Sequence, residues 1–197
     1  MGFITGIKVA LGGRSAIRDP DEVDQEAARI RAAIERSDLS ECVEHLRQQR
    51  GGAWEDRHYY CDVVARHADL AALERLCTAD RRNPIAHLLR AARCITLAWE
   101  ARSASDTLTS QSWADFREHM EHARGMLELS ARLDPVDPTP HVYMMDISRG
   151  LQLPPEEAYE HFKRAVARDR LHFPAHASML EALSACRHEF WQVPPDV

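Results

Sequence analysis

Apolar residues recur three and four apart along nearly the whole chain, the period that places them on one face of an α-helix. Val23, Ala27, Ile30 and Ile34 define the first such face, and Asp19-Pro20 ahead of them is a helix start. A break at Ser37-Asp38 opens a second helix with Leu39, Cys42, Val43 and Leu46 inside, which Gly51-Gly52 is expected to end as a C-cap. A third helix is predicted from about Trp54 to His67, and a short fourth from about Asp69 to Ala79 carries Leu70, Leu73, Leu76 and Cys77. Asn83-Pro84 opens a longer fifth with Ile85, Leu88, Ala92, Ile95 and Trp99 on one face, ending near Arg102. Residues 103–112 are small and polar and read as a loop or a frayed end. Phe116, Met120, Ala123 and Leu127 mark a long sixth helix that Pro135 and Pro138 punctuate, and three more follow at about 139–151, 155–169 and 174–190. The prolines after that lack the N–H a helix needs.

One phrase occurs three times. An Asp that closes a helical stretch is followed seven residues later by a His that opens the next, with a Pro between: Asp80-Pro84-His87, Asp134-Pro138-His141 and Asp169-Pro174-His176. The last two copies are 35 residues apart and the first two 54 apart, one such period plus about 20 extra residues. Self-similarity at a period of 20–50 residues is the signature of stacked helical hairpins.

The spacing inside the later helices resembles the tetratricopeptide repeat (TPR). Its second helix favours Ala, a large residue four on, a small one seven on and Pro twelve on. Ala123, Leu127, Ser130 and Pro135 fit all four positions, while Ala158, Phe162 and Ala165 fit three, with Arg170 where Pro is expected. The resemblance covers roughly 84–190, is poor in the first helix of each hairpin, and carries no catalytic residues. More loosely, the chain resembles an uncharacterised bacterial family of TPR-like proteins through Trp-Glu-Asp-Arg at 54–57, Ala-Trp-Glu-Ala-Arg at 98–102 and the Asp-Pro phrase at 133–135. The expected fold is all-α: antiparallel helical hairpins stacked as a short TPR-like α-solenoid. It comprises an N-terminal arm over 1–18, a single helical domain over 19–191 and a tail over 192–197.

Composition narrows the function classes. With 45% hydrophobic and 28% charged residues the chain is neither disordered nor membrane-embedded, and no stretch is apolar enough to span a bilayer. The net charge of −6 argues against non-specific nucleic-acid binding, which needs a basic surface to displace counterions. The five cysteines, Cys42, Cys61, Cys77, Cys94 and Cys186, form no CxxC pair and fall near apolar helical positions. They read as reduced, buried residues of a cytoplasmic protein. The apolar stretch from Met1 to Leu11 lacks the charged start and unbroken run of a signal peptide.

Eleven histidines invite a metal reading. His119 and His122 lie three apart beside Glu118 and Glu121, and Glu55 with His58 forms one Glu-x-x-His, but a di-iron bundle needs two such motifs and two further carboxylates. These residues are therefore read as solvated helix faces rather than as a metal site. There is no Gly-rich phosphate loop, no GxSxG and no Cys-His pair at motif spacing, so no cofactor and no catalytic residue are assigned. Trp54, Tyr59 and Tyr60 cluster at the third helix as core packing, or as a contact site if the Trp is exposed.

These features point to a non-catalytic adaptor that binds a protein or peptide; the alternatives are a helical metal-dependent enzyme and a self-associating subunit, a homodimer in the simplest case. In the adaptor, the first helices of the hairpins share a surface on which His87, His141 and His176 hold equivalent places. Arg90, Arg93 and Arg149 then meet an acidic peptide, because a guanidinium pairs two carboxylate oxygens at once. Ion pairs with neighbouring acids are the other role open to these arginines.

Overall fold

The computed structural model describes residues 24–103 and 110–185. The expected arm at 1–18, the Asp19-Pro20 start, Val23, Cys186, the end of the last predicted helix and the tail at 192–197 all lie outside the described residues. Among the described residues there are nine α-helices and no strand. They are α1 (Gln25–Glu35), α2 (Leu39–Gln48), α3 (Trp54–His67), α4 (Leu70–Ala79), α5 (Pro84–Ser103), α6 (Ser110–Leu133), α7 (Thr139–Gly150), α8 (Pro155–Val166) and α9 (Phe173–Ala185).

Aspartate starts three of the first four helices by accepting from the free amides of the first turn. Asp24 takes Glu26 N and Ala27 N, Asp38 takes Glu41 N, and Asp69 takes Ala72 N. Two boundaries differ from expectation. α2 ends at Gln48, before the glycines, and Gly51 instead uses a positive φ of 63° to begin a 3-10 turn, Gly51–Ala53, that leads into α3. The polar segment 103–112 is helical at both ends: α5 runs through Ser103 and α6 starts at Ser110, with residues 104–109 outside the described set. Gln111 donates to Asp115 one turn on at 2.7 Å, and Trp113 between them is already buried in the main core, so the helix starts inside the polar segment.

The repeated phrase is a repeated turn. Asn83 N donates to Asp80 O, Asp137 N to Asp134 O and His172 N to Asp169 O, each at 3.2 Å. The second and third turns each feed a helix that packs on the pair before it, while α5, after the first, packs on α3 and α4, which do not pair closely with each other. α5 and α6 pack along their lengths, α7 leans on α6 and pairs with α8, and α9 lies on both α7 and α8. Ser130 is small enough to reach the start of α5, where its hydroxyl donates to Pro84 O at 2.9 Å. α3 crosses this series from outside it, touching α5 most and also α7 and α9.

The apolar interior forms two clusters. The larger runs through α1–α7 and is made mostly of Ala, Leu and Ile, with Trp113 and Phe116 among them. The smaller joins α7, α8 and α9 through Val142, Met145, Ala158, Ala165, Ala175, Met179 and Ala182. α7 serves both, with Tyr143, Met144 and Ile147 facing one and Val142 and Met145 the other.

Ala123 on α6 and Ala165 on α8 have no exposed surface. Ala123→Leu or Ala165→Leu is expected to destabilise the protein by about 1–3 kcal/mol, because extra methylenes at a close helix contact force strain. Thermal melts check this; unchanged midpoints in both variants would mean that these positions are not close contacts.

Candidate functional site

The repeated histidines follow one rule with one exception. His87 Nε2 donates to Arg81 O at 3.0 Å, and His176 Nε2 donates to Arg170 O at 3.0 Å, in each case to the carbonyl six residues back. The ring thus clamps the turn it follows. In the middle copy the equivalent carbonyl, Pro135 O, accepts instead from Arg168 Nε at 2.7 Å. His141 turns toward His161 of α8, with Nδ1 atoms 3.4 Å apart and ring centroids at 5.7 Å. Its Nε2 is enclosed without a partner. Desolvation pushes His141 down to about 3, helped by the charges of Arg168, His161 and Arg164. His161 goes down to about 4, by desolvation and then Arg164. Both rings are neutral at pH 7, one donating and one accepting.

The predicted arginines are already engaged. Arg90 pairs with Glu74 at 2.8 Å and lies 3.3 Å from His122 Nε2. Arg93 donates to Ala65 O at 3.0 Å and meets Glu100 at 3.4 Å, which ties α5 to α3. Arg149 pairs with Glu181 of α9 and with Asp146, and lies over the Trp99 ring. The six predicted residues are spread over α5, α7 and α9, and each contacts residues outside the set. His87 and His141 are buried, whereas His176 is exposed on α9 and sets its ring edge-on to Phe162.

The densest polar site lies where α3 crosses the series. Trp54, Arg57, Cys61 and Val64 are three, four and three apart, so Arg57 stands on the buried stripe of its helix. Its side chain is 1% exposed. The guanidinium meets Asp137 at 2.7 Å and Asp134 at 3.6 Å, both in the turn before α7. Its Nε donates to Gln49 O at 2.7 Å, and the group lies over the Trp54 ring at 4.6 Å. Arg50 reaches Asp134 from the rim at 2.9 Å. A guanidinium suits this site because its planar fork offers several donors in fixed directions, although Nη2 is enclosed without a hydrogen-bond partner. The sequence carried the signal, a charged residue in the apolar register of Trp-Glu-Asp-Arg, but its partners are about 80 positions away.

Further along α3, Tyr143 OH donates to Asp62 at 2.6 Å, and the other oxygen of Asp62 lies 3.7 Å from His58 Nε2. The His58 ring packs 4.8 Å from the Tyr143 ring and 6.4 Å from the His172 ring. His172 is fully buried and neither ring nitrogen has a hydrogen-bond partner. Desolvation first, and then the facing His58, depress it to about 4. Burial also raises the Tyr143 hydroxyl and the Asp146 carboxyl.

Among the described residues no group of three or more His, Cys, Asp or Glu side chains converges as a metal requires. Cys42, Cys61, Cys77 and Cys94 are free and buried, and desolvation pushes Cys42 and Cys77 up to about 11, which suppresses the nucleophilic thiolate. Trp54 is part of the interior at 5% exposed. Compared with protein-family models, with curated proteins and with solved structures, the chain matches none.

Arg57→Met is expected to cost about 3–5 kcal/mol by chemical denaturation, since it leaves the enclosed Asp137 carboxylate without its cation while Asp134 keeps only Arg50 at the rim. A loss under about 1 kcal/mol would mean that the site is open to water. The histidines give a pH dependence. In the unfolded chain they bind protons near 6.5, but when folded only at about 3 for His141 and about 4 for His161 and His172. The unfolded chain therefore holds more protons below pH 6.5, and the stabilisation from neutral rings, complete above that value, is lost as pH falls toward 4. The thermal midpoint should drop between pH 7 and 5, and less steeply in His141→Asn. Equal slopes would exclude His141 as a contributor.

Proposed function

We propose that this chain is a non-catalytic, TPR-like stack of helical hairpins that binds a protein or peptide. Supporting the stack are the turn made three times with the same hydrogen bond and the packing of α7 and α9 on the pair before each. The pairing of Ala123, Leu127 and Ser130 at closely packed positions is what a TPR-like register needs.

The observation that carries the binding reading is on α9. Phe173 is 69% exposed, Leu180 66% and Leu183 48%, and they share one helical face with His176. Leu171, in the turn before, is 81% exposed. Scattered surface leucines need no explanation, but a contiguous row of this kind marks a contact site. The face is also the one that the next helix of a stack would cover. Of the residues expected to bind, His176 lies within this row and Arg149 borders α9 through Glu181. In this reading the anchors are apolar, with charged groups at the rim. His87, Arg90, Arg93 and His141 hold turns and helices in place behind it.

Leu180→Glu/Leu183→Glu should remove a partner captured from native extract while leaving the thermal midpoint within a few degrees of the parent protein. Retained capture by the folded variant would move the contact elsewhere. The same face would accept a second copy of the chain, and sedimentation analysis separates that case: a dimer in the parent protein and a monomer in the variant.

A further inference from the structure

The three repeated turns cap their helices in different ways. At α5, Asn83 Oδ1 accepts from Ile85 N at 3.1 Å and Ala86 N at 3.3 Å. Before α7, Asp137 Oδ1 accepts from Thr139 N at 2.8 Å. The equivalent residue before α9 is His172, whose buried ring accepts nothing. The proline has also moved. Pro84 and Pro138 directly follow the capping residue, whereas in the third copy Phe173 intervenes before Pro174. Phe173 therefore keeps an N–H that proline removes from the other two turns. That N–H donates to Glu55 Oε1 of α3 at 2.8 Å, across 118 positions of sequence.

We infer that Glu55 is the N-terminal cap of α9, supplied from α3, and that it makes the ordering of the α8–α9 pair conditional on docking against α3. A carboxylate at this place satisfies an orphan amide and meets the positive end of the helix dipole. Most helices carry such a group within their own turn, so their start does not depend on a neighbour. α9 lacks one and borrows it.

Elsewhere the pair is held by the packing of α8 and α9 on α7, by Arg149–Glu181, Arg124–Glu157 and the Arg168 bond to Pro135 O, and by a small apolar interior. Its interior contains four alanines, two methionines and one valine, with Phe162 and Val166 only partly buried. The groups that meet across α3 and the start of α9 are polar: the Glu55 bond and the facing rings of His58 and His172. Loss of the cap loosens α9 first and, through the small interior that the two helices share, α8, uncovering Val142 and Met145 on the outer side of α7. The rest of the molecule has its own larger core and stays folded. The arrangement is a latch: with α3 docked the last pair is ordered, and with α3 released from α9 the pair opens.

Hydrogen exchange with mass spectrometry on the full chain tests this. In Glu55→Ala, exchange across residues 155–185 should rise roughly tenfold, the size set by loss of a charged hydrogen bond, while 84–133 keeps its protection. Phe173→Pro removes the donor at a position where the other two turns already carry proline, and should give the same pattern. The double variant should be no worse than either single, because both remove one bond. Glu55→Gln keeps an oxygen acceptor and should stay close to the parent protein. Unchanged exchange in 155–185, an equal rise in every helix, additive effects in the double variant, or a Glu55→Gln as open as Glu55→Ala would each overturn the inference.

Discussion

A guanidinium with almost no access to water sets the geometry of this protein. Arg57 stands on the buried stripe of α3 and can be tolerated there only if its charge is matched. Asp134 and Asp137 match it from the turn before α7, and the Gln49 carbonyl and Trp54 ring complete its surroundings. Because the acids belong to a turn rather than to a long flexible surface side chain, the pairing fixes the position of α3 relative to the start of α7. The contacts of Tyr143 with Asp62, and of Phe173 with Glu55, then follow along the same helix.

That crossing divides the molecule by chemistry. α3 meets α5 through the main apolar core, together with the Arg93 bond to the Ala65 carbonyl. Its contacts with α7 and α9 include an ion pair, a hydroxyl–carboxylate bond and packed imidazole rings. Polar joints of this kind are specific in direction and weak in net energy, since each bond replaces one to water. The apolar joints carry the stability, and the polar ones decide register. The middle copy of the repeated turn shows the exchange plainly: both of its aspartates face Arg57, its proline carbonyl goes to Arg168, and its histidine is turned to His161.

For function, the consequence is a change in where contact is sought. The arginines that a sequence-level reading places on a shared surface neutralise Glu74, Glu100, Asp146 and Glu181 of neighbouring helices. A charge already paired within the chain offers a partner less than an uncovered apolar face does. The outer face of α9, with Phe173, Leu180 and Leu183, is therefore the centre of the proposed binding surface, over the smaller of the two cores.

The helices were legible in the order of residues alone. Periodicity placed α3 at Trp54–His67 and began α7 and α8 where the structure has them, because those signals are local: spacing, caps and prolines lie within a few residues of what they shape. The likeness of the three Asp-to-His turns was legible in the same way, since each closes its bond within four positions. Boundaries were harder to read where a residue type has two uses, as with Gly51, which starts a turn instead of ending α2. Which helix crosses which was settled by packing in three dimensions, and with it the roles of Arg57, Glu55 and His172. The local sequence around Arg57 and Glu55 does not name their partners, which lie about 80 and 118 positions away. His172 likewise meets His58 from the far end of the chain. A buried charge announces that it needs a partner, but only the folded chain brings one within bonding distance.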